Sequence, residues 1–206
     1  MNQQPILETE RLLLRPLTPD DAATVARLAG SREIAHTTIS IPHPYSEDQA
    51  RGWIATHTGQ SAAGQEIVFG VVTREDAQLI GAVGLSKIDT EHSQAELGFW
   101  IAVQAWGKGY ATEATRRVIR YAFEELKLNR VYAHHMVRNP ASGKVLEKLG
   151  MRREGLLRQR VRKWGVFEDV GARLGASDVP PLHFFLLFTL LPQNKTGGTK
   201  RPRSPV

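Results

Sequence analysis

Between Gln94 and Leu126 the spacing of apolar residues changes period. Leu97, Phe99, Ile101 and Val103 alternate with Glu96, Gly98, Trp100 and Ala102, as one strand requires. Ala111, Ala114, Val118, Ala122 and Leu126 then recur at helical spacing. The segment between them, Gln104-Ala-Trp-Gly-Lys-Gly-Tyr-Ala-Thr112, carries two glycines around Lys108. A strand that enters a helix through bare backbone confines the chain to folds that mix strands with helices. It also places unshielded N–H groups where a helix already has free ones.

Such a junction is suited to phosphate, because converging N–H groups and the positive end of the helix dipole both face it. The spacing alone also allows a tight turn that needs glycine only for its backbone angles. Two common phosphate loops are excluded. The Walker pattern requires Ser or Thr after Gly-Lys, and Lys108 is followed by Gly109; the dinucleotide fingerprint requires a third glycine where Thr112 stands.

The rest of the chain reads as one mixed α/β unit. Arg11–Pro16 is a strand, and Thr18 caps a helix with Val25, Leu28 and Ala29 on one face. A loop from Thr37 to Tyr45 precedes a capping box at Ser46–Gln49, which opens a helix through Trp53 and Ile54. Ile67–Val72 and Leu79–Leu85 form a hairpin. A strand spans Asn129–Val137, with His134 and His135 on opposite faces; histidines so placed are more often buried or solvated than catalytic. Asn139-Pro140 caps a short helix that turns Val145, Leu146 and Leu149 inward and stops at Gly150. Leu156–Arg162 and Val166–Val170 make a last hairpin across Trp164-Gly165, lining up Arg158, Arg160 and Arg162 on one face, to attract an acidic acceptor or, as is commoner, as a solvated edge. An apolar run, His183–Leu191, and a polar tail whose final twelve residues read as disordered close the chain.

Composition narrows the function classes. No cysteine is present, which removes disulfides, zinc thiolates and a thiol nucleophile and fits a cytoplasmic protein. No signal peptide is evident, and no apolar run reaches the roughly 20 residues that span a bilayer. The net charge is +6, but Lys195, Lys200, Arg201 and Arg203 of the tail carry most of it, and residues 1–192 are left with +2. Nucleic acid is therefore an unfavoured partner, reached if at all through the tail.

The pattern Gln104-x-x-Gly107-x-Gly109 resembles the acetyl-CoA pyrophosphate loop of the GNAT N-acetyltransferases. Leu7–Arg15, Glu96–Ile101, Trp106–Ala114 and Asn139–Gly150 are similar to segments of the RimJ/RimL-type, ribosomal-protein branch, in the same order and spacing. The resemblance implies a GNAT fold: a central, mostly antiparallel mixed sheet of six to seven strands with about four helices. It implies a catalytic domain over residues 1–174 and an atypical segment over 175–206. From Gly171 the family pattern is lost, which leaves the last strand and the acceptor wall without a counterpart.

The resemblance further implies that acetyl-CoA is the co-substrate, with no metal. Backbone at Ile101, Ala102 and Val103 would hold the pantetheine arm and the oxyanion. Gln104, Gly107, Lys108, Gly109, Tyr110, Ala111 and Thr112 would hold the diphosphate, and Asn139 and Ser142 would contact the arm. Without cysteine, a primary amine would attack the thioester directly. An α-amino group titrates near 7.7–8.0 and lysine near 10.4, a gap of roughly 3.4 kcal/mol, so a protein N-terminus needs little help from a base. Glu96 is the candidate base, directly or through water; a solvated or arginine-paired glutamate is the alternative. Ser142 is the candidate acid for the departing thiolate, or a helix-start serine. His43 and Tyr45 are placed at the acceptor, a protein N-terminus or a small amine. The expected state is monomer or homodimer, away from membranes. A non-catalytic acyl-CoA-binding module is the competing reading.

Overall fold

The computed structural model describes residues 4–176, so the apolar run at 183–191 and the tail lie outside the described residues. One eight-stranded sheet organises the molecule, in the order β1-β2-β3-β4-β5-β6-β8-β7. Its strands are β1 (Leu7–Glu8), β2 (Leu12–Arg15), β3 (Ile67–Thr73), β4 (Leu79–Asp89), β5 (Gln94–Ile101), β6 (Arg130–Met136), β7 (Arg152–Lys163) and β8 (Val166–Ala176). All pairings are antiparallel except β5 with β6. That pair is parallel because α4 (Tyr110–Glu124) carries the chain back between them.

The strand alternation read from the sequence is what divides the core in two. Leu97 and Ile101 pack with Phe69, Leu85, Ala114, Val118 and Ala122 on the α4 face. Trp100 and Ala102 pack with Val68, Val72 and Ala82 against α1 (Ala22–Ala29) and α3 (Glu47–Ala62) on the other. Each fully buried Leu, Ile or Val contributes about 1.5–3 kcal/mol by leaving water. α5 (Pro140–Lys148) lies on the α4 side, with Leu146 in the same cluster.

The structure departs from the expected outline in five places. A fifth helix, α2 (Arg32–Thr37), occupies the approach to the 37–45 loop. Ser31 caps it through Oγ, but only Ile34 and Ala35 are buried, too few to make a periodic stripe. Leu7–Glu8 is a separate strand, split from β2 by a turn in which Thr9 N–H bonds to Leu12 O at 3.0 Å. Val103 does not extend β5; it starts a 3-10 turn, and the Trp106 indole N–H donates to Ile101 O at 2.6 Å, closing the strand there. β8 runs through Gly171 to Ala176, pairing with β6 from Val170 onward. Main-chain pairing needs no family side chains there, and small residues suit the site: a Cβ on Gly171 would lie 2.8 Å from the His135 ring. The aligned arginine face is also broken, because a bulge between Leu157 and Val161 interrupts β7; Arg158, Arg160 and Arg162 are all exposed.

Candidate active site

The site begins where two parallel strands part. β5 and β6 are paired from Gln94↔Arg130 to Leu97↔Ala133. Beyond that register both strands continue unpaired with each other, to Ile101 and Met136. A cavity of about 990 Å³ fills the gap. On the α4 side it is lined by Gly107, Gly109, Tyr110, Ala111, Thr112 and Ser142; on the α1–α3 side it reaches Tyr45, Trp53, Glu66, Glu96 and His134.

The glycine loop is built to leave N–H groups free. Gly107 and Gly109 take φ of 75° and 82°, angles that glycine adopts without strain. Gly109 is the residue before α4 and offers no side-chain cap. The first helical hydrogen bond of α4 runs from Glu113 N–H to Gly109 O. Among the described residues, no group accepts from the N–H of Gly107, Lys108, Gly109, Tyr110, Ala111 or Thr112. The first N–H groups of any helix lack intrahelical acceptors, and here the glycine loop extends that run to six at the cavity.

Arg11 holds this loop in place from 102 residues away in the chain. Its backbone N–H and Nε donate to the Glu113 carboxylate at 2.9 and 2.7 Å, and Thr9 Oγ1 donates to it at 2.7 Å. Arg11 Nη1 donates to Lys108 O, and the guanidinium lies over the Tyr110 ring. Burial alone would raise the Glu113 carboxyl, but the bonds from Thr9 and Arg11 outweigh it and hold the group below the usual range. Arg116 and Lys148 line a shallow depression beside Gly109 and Thr112, adding positive charge next to the free N–H groups. The spacing of the loop did not point to these cations: Arg116 stands one turn further along α4, and Lys148 comes from α5.

Four residues expected at the cofactor, Ala102, Val103, Gln104 and Lys108, do not line the cavity, and Lys108 brings only its free N–H beside it. Ala102 is fully buried and its N–H is spent on Ile80 O at 2.7 Å. Gln104 and Lys108 are exposed outside the lining, as is Val103, whose carbonyl accepts from Trp106 N–H. The strand's early closure at Ile101 turns these side chains away. Ile101, Asn139 and Ser142 do line the cavity. Asn139 caps α5: Oδ1 accepts from Ser142 N–H, and Nδ2 donates to Ser142 Oγ at 2.9 Å and to Thr37 O at 3.2 Å. Its carboxamide is thus a positioning group, and the Ser142 hydroxyl, already accepting from Asn139, keeps its own proton to donate.

On the other side, Tyr45 lines the cavity, whereas His43 does not: its Nδ1 bonds to Gly30 O at 2.9 Å, tying the loop to the end of α1. Lys163, buried at the end of β7, donates Nζ to Ile41 O at 2.6 Å and closes the same loop over the cavity. Burial, and then the charge of Arg138, lower the Lys163 ammonium from its ordinary value. Glu66 is half-buried at the cavity wall, its carboxyl raised by burial, with no described group bonded to it.

Glu96 is neither solvated nor paired with arginine. Oε1 meets His134 Nδ1 at 2.7 Å and Oε2 accepts from Lys87 Nζ at 2.6 Å. Burial pushes the carboxyl up, but these hydrogen bonds and charges prevail and lower it overall. His134 and His135 both line the cavity, which opens on both faces of β6.

Residues 11–152 match the family model described as Acetyltransferase (GNAT) domain. The chain belongs to the GNAT acetyltransferases. "Putative ribosomal N-acetyltransferase YdaF" of Bacillus subtilis (strain 168) is 34% identical over 164 residues, 78% of this chain and 88% of that protein. The spermidine N(1)-acetyltransferase of Vibrio cholerae serotype O1 is 32% identical over 162 residues, 78% of this chain and 90% of that one. The crystal structure of ribosomal-protein-S5-alanine acetyltransferase from Vibrio fischeri superposes with a TM-score of 0.77 at 23% identity, over 85% of this chain and 98% of that one, a likeness of fold. The resemblance to ribosomal-type N-acetyltransferases is matched by the first of these relatives, and the enzyme is an N-acetyltransferase whose acetyl donor is acetyl-CoA. No helix among the described residues is long and apolar enough to cross a membrane.

Proposed function

We propose that this GNAT enzyme acetylates a primary amine, a protein N-terminus or a small polyamine-like molecule, by direct attack on the thioester. The observation that carries the reading is the run of six unpartnered N–H groups from Gly107 to Thr112 at the mouth of the cleft between β5 and β6. These donors fit a diphosphate, and Arg116 and Lys148 beside them would meet its remaining charge. Ser142, oriented by Asn139, protonates the departing sulfur. Asn139 and Ile101 line the channel through which the acyl arm reaches the α1–α3 side.

The acceptor half supports a cationic amine. Glu66 presents an unpaired carboxylate and Trp53 an aromatic face to the same cavity. Among the relatives, one is named for spermidine and one for ribosomal protein, so both acceptor types belong in the assay. Thiol release from acetyl-CoA is to be measured against spermidine, aminoglycosides and peptides with free N-termini. Release with at least one of them is expected. Coenzyme A binding without release on any would establish the non-catalytic module instead.

A further inference from the structure

We infer that His134 is the general base of the transfer and that Glu96 acts on the reaction only through it. The inference rests on the acetyl-transfer reading above. His134 is the residue after Ala133, which belongs to the last β5–β6 pair, so its ring stands at the point where the strands part. Opposite Tyr132 in that ladder is Glu96, one residue short of the opening.

The bonding pattern fixes the tautomer. Glu96 is held ionised by Lys87 and His134, so its Oε1 has no proton to give. The hydrogen in the 2.7 Å contact therefore sits on His134 Nδ1. A neutral imidazole with Nδ1–H carries its lone pair on Nε2, and no described group bonds to Nε2. The ring lines the cavity, a quarter exposed (24%), with its lone pair available to an amine. Direct protonation of Glu96 would have to weaken contacts with two cation-capable partners. Protonation of Nε2 instead strengthens the bond from Nδ1 to the carboxylate.

The charged and titratable surroundings are Lys87 from β4, Glu96 from β5, Tyr132 edge-on from β6 itself at 5.7 Å, and Glu154 from β7, with Arg160 beside Lys87. The ammonium gives one proton to Nε2 of His134, which passes it to solvent. The neutral nitrogen forms the N–C bond, the C–S bond breaks with its electron pair on sulfur, and the second nitrogen proton ends on sulfur. Glu96 is then a positioning residue.

Two measurements test this with acetyl-CoA and spermidine or a seryl peptide, whichever the enzyme uses. First, long-range ¹H–¹⁵N spectra of the free protein at pH 8 are expected to show His134 protonated at Nδ1 and bare at Nε2; the opposite tautomer overturns the proposal. Second, kcat is followed against pH. His134→Gln is expected to lower kcat about 100-fold at pH 7 and to rise in proportion to hydroxide through pH 9, with coenzyme A affinity unchanged. Glu96→Gln is expected to keep the wild-type acid limb at about a tenth of the height. If His134→Gln retains the limb and Glu96→Gln loses it, the carboxylate is the base and the proposal fails. A wild-type enzyme that transfers to no amine would instead bring down the underlying reading, and the proposal with it.

Discussion

At the scale of single residues, the chemistry depends on side chains whose neighbours lie far away in sequence. His57 is an instance outside the site. It is 6% exposed, edge-on to Trp53, with neither ring nitrogen bonded among the described residues, and burial lowers it to about 4. The unfolded chain binds its proton near 6.5, so stability is full above that pH and is lost as pH falls toward 4. The loss is up to ~3 kcal/mol. Urea midpoints between pH 7 and pH 4.5 should fall more steeply for the wild type than for His57→Phe. Glu96 was recognisable in the sequence as a carboxylate on the polar face of a strand. Its bond to His134 was not, because the register of two parallel strands 38 positions apart is written in neither strand alone. His43 misled for a related reason: membership of the right loop does not say which way a side chain turns, and this one turns to Gly30.

At the scale of elements, the strand–loop–helix unit from Gln94 to Glu124 was the most legible part of the molecule, because glycine spacing and period change are both local. What stayed hidden was its anchor, Arg11 on Glu113, and the short α2, which buries too little to show a stripe. Gly109→Ala tests the loop directly. An alanine at φ 82° costs about 1–2 kcal/mol, and its Cβ would lie 3.5 Å from Arg11 Nη2. The melting temperature should fall by about 2–8 °C. Coenzyme A should bind about tenfold more weakly by calorimetry, since the strain displaces the N–H groups beside it.

At the scale of the whole molecule, the cavity reaches both faces of the sheet where β5 and β6 part. The 37–45 loop closes over the cavity on the α1–α3 side and is fastened to α1 by His43 and to β7 by Lys163. Lys163→Met removes the second fastening and keeps the apolar stem. It should raise the acceptor KM several-fold and speed amide exchange across residues 38–44, while coenzyme A affinity holds. Binding of the diphosphate by the loop is tested most directly by an amide ¹H–¹⁵N titration with coenzyme A. The N–H resonances of residues 107–112 are expected to move furthest downfield, as donors to a diphosphate do. Saturable binding that left those six amides unmoved would contradict it.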